Sequence, residues 1–190
     1  MTSRSAWKNS ERRHSRLIGT ERAPLSGSNG KITASDSLSR YWFLETKHRT
    51  DFPLYIDFGR IVAKANDLGR KPLMVFNSEG SQFAVLKFRD FSEMAYPEPH
   101  DPDPASVFLS PKWYIQMRYE KQFPFKQLFS ETAEKARLEG KVPIVGIHVS
   151  GKRNDMLLTT LEIFLAHLIP GNPPPAVAEL KQNMAEVSQC

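Results

Sequence analysis

An α/β fold is what this sequence predicts, on three observations. Apolar runs of strand length alternate with longer segments whose apolar residues recur at helical spacing. Glycines stand where the helical segments end, and a proline opens the strand that follows. The same succession then returns in the second half of the chain at a constant offset. A length of 190 residues with 40% hydrophobic content is enough for one domain or two small ones.

The first element is a short helix over residues 6–18, with Trp7, Leu17 and Ile18 as apolar contacts and Gly19 as its stop. Residues 22–30 are rich in turn formers and make a loop. Two strand-like pieces follow, near 33–38 and 41–47, the second opening on the run Tyr41-Trp42-Phe43-Leu44. Ile56, Ile61, Val62, Ala65 and Leu68 give residues 55–68 a helical period, ended by Gly69. Residues 72–76 read as a buried strand and 82–88 as another, across a turn at Gly80. Four prolines within residues 96–104 allow neither helix nor central strand, so this segment is a linker.

Beyond the linker the pattern repeats. Phe52-Pro53, Phe58, Lys64-Ala65, Gly69, Pro72 and Gly80 recur 71 residues later as Phe123-Pro124, Phe129, Lys135-Ala136, Gly140, Pro143 and Gly151. Eight matches on one diagonal predict an internal duplication of a helix, a glycine stop and a Pro-led strand. Upstream, Lys112-Trp113-Tyr114-Ile115 takes the place of Arg40-Tyr41-Trp42-Phe43, with one residue deleted before Phe123. That alignment carries Glu45 to Met117, Lys47 to Tyr119 and Asp36 to Phe108. After a break at residues 171–175, residues 176–187 form a short helix of marginal stability.

Composition narrows the function. No apolar run is long enough to span a bilayer, and the Ser/Arg/Lys-rich start has no apolar stretch of a secretory signal. The single cysteine, Cys190, permits neither a disulfide framework nor a cysteine metal site. The expectation is an intracellular, cytoplasmic protein. The formal charge is +5, concentrated at one end: residues 1–50 hold ten Lys and Arg against four acids, and the remainder 16 against 17. A phosphate polyanion is the partner that such a segment suits.

Within that segment lie Asp36 and, nine residues on, Glu45-Thr46-Lys47. On a strand, residues i and i+2 share a face, so Glu45 and Lys47 point the same way. A hairpin would bring Asp36 beside Glu45, and two carboxylates and an ammonium then converge as phosphodiester hydrolysis requires. Magnesium takes oxygen ligands, here Asp36, Glu45 and the carbonyl of Thr46. Lys47 would stabilise charge on the phosphorane, and Glu11, one helix away, would support the metal. Each residue alone also fits a plainer reading: an Asp after a loop caps a turn, and Glu-x-Lys lines a solvated strand face. Arg12, Arg13, Arg22, Lys31, Arg40 and Arg49 would supply a phosphate-binding face. His14, His48, His100, His148 and His167 have no metal spacing and are read as incidental.

The residues Trp7-Lys8, Glu11-Arg12-Arg13, Gly19, Arg22, Pro24-Leu25-Ser26-Gly27, Ser35-Asp36 and Phe43-Leu44-Glu45-Thr46-Lys47 together resemble the PD-(D/E)XK nuclease superfamily. Within it they are similar to the Holliday-junction-resolvase-like nucleases. Gly69-Arg70-Lys71-Pro72 resembles the G-K-x-P element that follows in that family, and the likeness covers roughly residues 7–91. The resemblance implies a restriction-endonuclease-like mixed sheet flanked by helices. It implies catalytic roles for Glu11, Asp36, Glu45 and Lys47, a Mg2+ cofactor that Mn2+ can replace, and DNA approach at Ser26 and Ser28. With the repeat, the expected organisation is a nuclease-like domain at 1–95, the linker at 96–104, a degenerate repeat at 105–170 and a tail at 171–190; the linker and second copy depart from that family, whose members are typically single-copy and shorter. The implied function is a metal-dependent endonuclease for DNA, with branched or junction DNA as substrate. A homodimer is expected, or a pseudo-dimer within one chain if the second copy takes the partner's place. The competing expectation is a non-catalytic module that keeps a nuclease scaffold to bind DNA or to inhibit a partner.

Overall fold

The computed structural model describes residues 4–23, 35–47, 53–95, 110–118, 124–148 and 155–169, with side chains from residue 8 onward in the first stretch. Ser26, Ser28, Lys31 and Arg49, the linker 96–104, the tail 171–190 and the side chain of Trp7 lie outside the described residues. In chain order the elements are α1 (Arg4–Leu17), β1 (Trp42–Lys47), α2 (Leu54–Asp67), β2 (Lys71–Ser78), β3 (Ser81–Lys87) and α3 (Phe88–Ala95). There follow β4 (Trp113–Arg118), α4 (Phe125–Leu138), β5 (Val142–Ile147), β6 (Met156–Thr160) and α5 (Leu161–Leu168). None of these helices is long and apolar enough to cross a membrane.

The six strands form one mixed sheet in the order β1-β2-β3-β6-β5-β4. The outer pairs β1–β2 and β4–β5 are parallel, and the three inner pairings are antiparallel. The fold is therefore α/β, with the five helices of the described residues on the two faces. One face carries Phe43, Met74, Phe76, Phe83, Val85, Val145, Ile147 and Leu158 beneath Leu54, Phe58, Ile61 and Val62 of α2 and Phe125 of α4. The other carries Trp42, Leu44, Leu73, Val75, Trp113 and Ile144 against Phe91 of α3 and Phe164 and Leu165 of α5. Alternation along the strands produces the two faces: Phe43 and Leu44 are adjacent and both fully buried, one in each core.

Strand, helix, strand, strand, helix thus occurs twice, and local chemistry explains why. Ser39 Oγ accepts from the backbone N–H groups of Tyr41 and Trp42 at 3.2 and 2.9 Å, and Ser110 Oγ from Lys112 and Trp113 at 3.1 and 3.3 Å. Each serine turns the chain into its edge strand. Gly69 and Gly140 follow α2 and α4 at φ +62° and +66°. Beyond them Arg70 N–H reaches the Ala65 carbonyl and Lys141 N–H the Ala136 carbonyl, both at 2.9 Å. That closure is a Schellman cap, and the left-handed φ it needs costs glycine nothing.

Two expectations need correction. Residues 35–38 are not a strand: only a single bridge, Arg22 to Ser37, forms there, and the segment is tied to β1 by individual hydrogen bonds. The alignment of the halves has no deletion. Trp42 and Trp113 open β1 and β4, paired with Lys71 and Val142, so among the described residues the offset of 71 holds from Ser39 to Lys47 and again from Leu54 to Phe76. Glu45 therefore matches Gln116, not Met117, and Lys47 matches Arg118, not Tyr119. The basic-aromatic doublets Arg40-Tyr41 and Lys112-Trp113 stand one residue out of this frame. The sheet fixes the frame because a one-residue slip would turn every buried strand side chain outward.

Candidate active site

The site is assembled on the outer edge of β1. Leu44 offers both backbone groups to the neighbouring segment: its N–H donates to Ser35 Oγ at 3.1 Å, and its carbonyl accepts from Asp36 N–H at 2.8 Å. Two residues on, Thr46 N–H donates to Asp36 Oδ2 at 2.6 Å. Backbone direction alternates along a strand, so the Thr46 carbonyl faces the same edge as its N–H. Ser15 of α1 donates its hydroxyl to the Asp36 carbonyl at 3.1 Å, which ties helix, segment and strand together. Asp36 is thereby brought beside Glu45, as the spacing predicts.

Glu11 is wholly buried, with Arg22 Nε 2.5 Å from its Oε2. Asp36 is also buried, and its carboxyl is pushed up from 3.8 to about 8. Desolvation is the largest cause, then repulsion from Glu45 and from Glu11; the Thr46 N–H and Arg22 oppose it. Glu45 is half-buried and receives Lys47 Nζ at 3.2 Å, while the same ammonium lies 3.7 Å from Asp57 Oδ2 on α2. Glu11, Asp36, Glu45 and Asp57 gather here with Arg22, Lys47 and Arg60, whose Nη1 lies 3.5 Å from Asp57 Oδ1. Carboxylate oxygens set together in this way suit a hard cation.

Among the described residues, no three His, Cys, Asp or Glu side chains are grouped so as to hold a metal ion. The donor set that fits is smaller: the Asp36 and Glu45 carboxylates and the Thr46 carbonyl, all oxygen. Magnesium, which keeps several waters and takes one or two protein carboxylates, matches such a set.

The basic residues disperse. Arg12 is exposed and Arg13 half-buried on α1, but Arg22 is turned inward to Glu11. Arg40 precedes β1, at the far end of the strand from Glu45, so it does not join this site. His14 was missed by sequence. It is buried, with Nδ1 3.2 Å from Thr46 Oγ1 and Nε2 3.2 Å from the Gln82 amide. The signal lay in helical spacing: His14 and Ser15 follow Glu11 by three and four positions, on one face of α1. Asp57 was missed as well; it sits in the first turn of α2, where its charge also complements the helix N-terminus.

Comparison with family models, with curated proteins and with solved structures finds no match.

Proposed function

We propose that this chain is a Mg2+-dependent endonuclease that hydrolyses DNA phosphodiester bonds, with branched or junction DNA as its substrate. The observation that carries this reading is the convergence of Asp36, Glu45 and Glu11 on one strand edge, with the Asp36 carboxyl driven up to about 8 by burial and by the other two. Glu11 and Asp36 are buried with Glu45 half-buried beside them, and acids buried together need a cation or a proton to share. The finer reading of the fold belongs here too: a restriction-endonuclease-like unit, duplicated within the chain, one copy of which keeps the acids.

Asp36, Glu45 and the Thr46 carbonyl would hold the cation, which supplies charge neutralisation and a more acidic water. The remaining work falls to the protein. Lys47, held between Glu45 and Asp57, presents an ammonium to the phosphate oxygens as negative charge builds on them. Arg22 fixes Glu11 in place. His14 braces the Thr46 side chain, and so the strand edge, from the other face.

The test is cleavage of labelled four-way junction, flap, linear duplex and single-stranded DNA with Mg2+ or Mn2+. The native protein is compared with Glu45→Ala and Lys47→Ala. Cutting that is lost in both variants supports the site. Cutting that survives both would place the chemistry on other residues. DNA binding with no cutting under either metal would instead favour a non-catalytic binding module.

A further inference from the structure

Resting on the nuclease reading of the site, the outer face of α1 acquires a role of its own. The helix turns Glu11, His14 and Ser15 inward, and all three are buried. Ser15 holds the Asp36 carbonyl at 3.1 Å, His14 reaches Thr46 Oγ1 and Glu11 meets Arg22, so α1 is tied to the candidate site. Lys8, Arg12 and Arg16 are exposed, each four positions from the next. At 3.6 residues per turn they lie about 20°, 60° and 100° round the helix from Ser15, while Glu11 and His14 lie on the other side of it. The basic stripe thus begins where the face that holds the site ends.

No acids balance the stripe. Residues 1–34 hold seven Lys and Arg and two acids, Glu11 and Glu21. Glu11 is turned to Arg22, and among the described residues no ion pair joins Lys8, Arg12, Arg13 or Arg16 to any acid, the exposed Glu21 included. Glu162, which lines a cleft with Leu17 at the end of α1, pairs with none of them either. The acids of the site face other donors, Asp36 the Thr46 N–H and Glu45 the Lys47 ammonium. Like charges four apart, as in Lys8–Arg12 and Arg12–Arg16, weaken a helix. The helix also opens on Arg4 with no acid in its first turn, where its dipole favours one. A merely solvated face is better served by alternating signs, whereas a row of cations on one face matches a row of anions.

Lys8 and Arg16 stand about 12 Å apart along the helix axis, the axial length of about three to four nucleotides of one DNA strand. We propose that Lys8, Arg12 and Arg16 form a phosphate-binding ridge that carries one strand of the DNA past the Asp36–Glu45 edge. Because the ridge meets phosphates alone, it reads no base sequence.

The experiment is binding of a labelled 30-base-pair duplex in EDTA, where no cutting occurs, across a salt series. The native chain is compared with Lys8→Gln/Arg12→Gln/Arg16→Gln, with Arg12→Gln alone, and with Lys64→Gln/Arg89→Gln/Lys126→Gln, which removes three exposed cations from other elements. The ridge variant is expected to bind roughly a hundredfold more weakly at 0.1 M salt, with a slope of log affinity against log salt smaller by about 3. Arg12→Gln alone should lower that slope by about 1. The control triple variant, with the same loss of net charge, should keep the native slope. Both ridge variants relieve like-charge repulsion at exposed positions, so their melting temperatures should match or exceed the native one. A native slope in Arg12→Gln and in the triple ridge variant would overturn the proposal. So would an equal loss in the control, or a native chain that binds no duplex. A ridge effect in a native chain that never cuts with Mg2+ or Mn2+ would support the ridge and sink only the nuclease reading.

Discussion

At Asp36, chemistry and stability pull in opposite directions. Its carboxyl is raised from 3.8 to about 8 in the folded chain, so the native state holds that proton more tightly than the unfolded state does. The stabilisation is complete below about pH 4, falls as pH rises through the interval, and is gone above about pH 8. Asp36→Asn removes the titration and keeps an oxygen for the Thr46 N–H. In EDTA the variant should match the native protein at pH 4 and melt progressively higher than it up to pH 8. The gap is worth a few kcal/mol, at roughly 2–4 °C per kcal/mol for a chain of this size. Added Mg2+ should raise the native melting temperature and leave that of Asp36→Asn unmoved. Equal melting curves at pH 8 would mean that neither burial nor the neighbouring acids raise the Asp36 carboxyl. At this scale the sequence was legible where charge and strand period coincide, as at Glu45 and Lys47. It was opaque where a role depends on a contact between distant elements. His14 has its meaning only because α1 crosses β1 and β3, bringing Thr46 and Gln82 to its two nitrogens.

The elements that were readable are those that end on a residue with one conformational job. Gly69 and Gly140 end α2 and α4 in the sequence and do so in the structure, each at positive φ. A methyl group at Gly140 would meet nothing within 4 Å, so its cost is conformational alone. Gly140→Ala should therefore destabilise the chain by about 1 kcal/mol in chemical denaturation, through the left-handed penalty on an L side chain. A loss of several kcal/mol would mean that packing, not φ, holds that turn. The short helices α3 and α5 were invisible for the converse reason. Each begins at the residue after a strand ends, Phe88 after Lys87 and Leu161 after Thr160, with no glycine or proline to mark the change of period. Thr160 does carry a faint signal: its Oγ1 accepts from Ile163 N–H at 3.3 Å as the cap of α5. The strand expected near 33–38 failed because alternating small polar residues mimic strand spacing, whereas Ser35 and Asp36 spend their side chains on the backbone of β1.

At the scale of the molecule, the two halves hold each other up. Trp42 of β1 packs edge-on against Phe164 of α5 at 5.5 Å, and Trp113 of β4 against Phe91 of α3 at 5.1 Å. The contacts are reciprocal, as at a two-fold interface. Residues 1–95 alone would expose Trp42 and leave β3 without β6, so that fragment should show no cooperative melting until residues 105–170 are supplied in trans. A sharp transition from the fragment by itself would count against a shared core. On the proposed nuclease reading, the same arrangement bears on how DNA is cut. A symmetric dimer of nucleases has two acid clusters and severs two strands, but here Gln116 stands at the position that matches Glu45. On that reading a chain acting alone has one place to hydrolyse a phosphodiester. Supercoiled plasmid with Mg2+ should pass to open circles, and linear molecules should appear only late, as a second independent nick falls opposite the first. Glu45→Gln, which gives this position the residue found at its counterpart Gln116, should abolish both products. Linear DNA formed as fast as open circles, with a sedimentation mass of two chains, would instead show two such sites working together across a dimer.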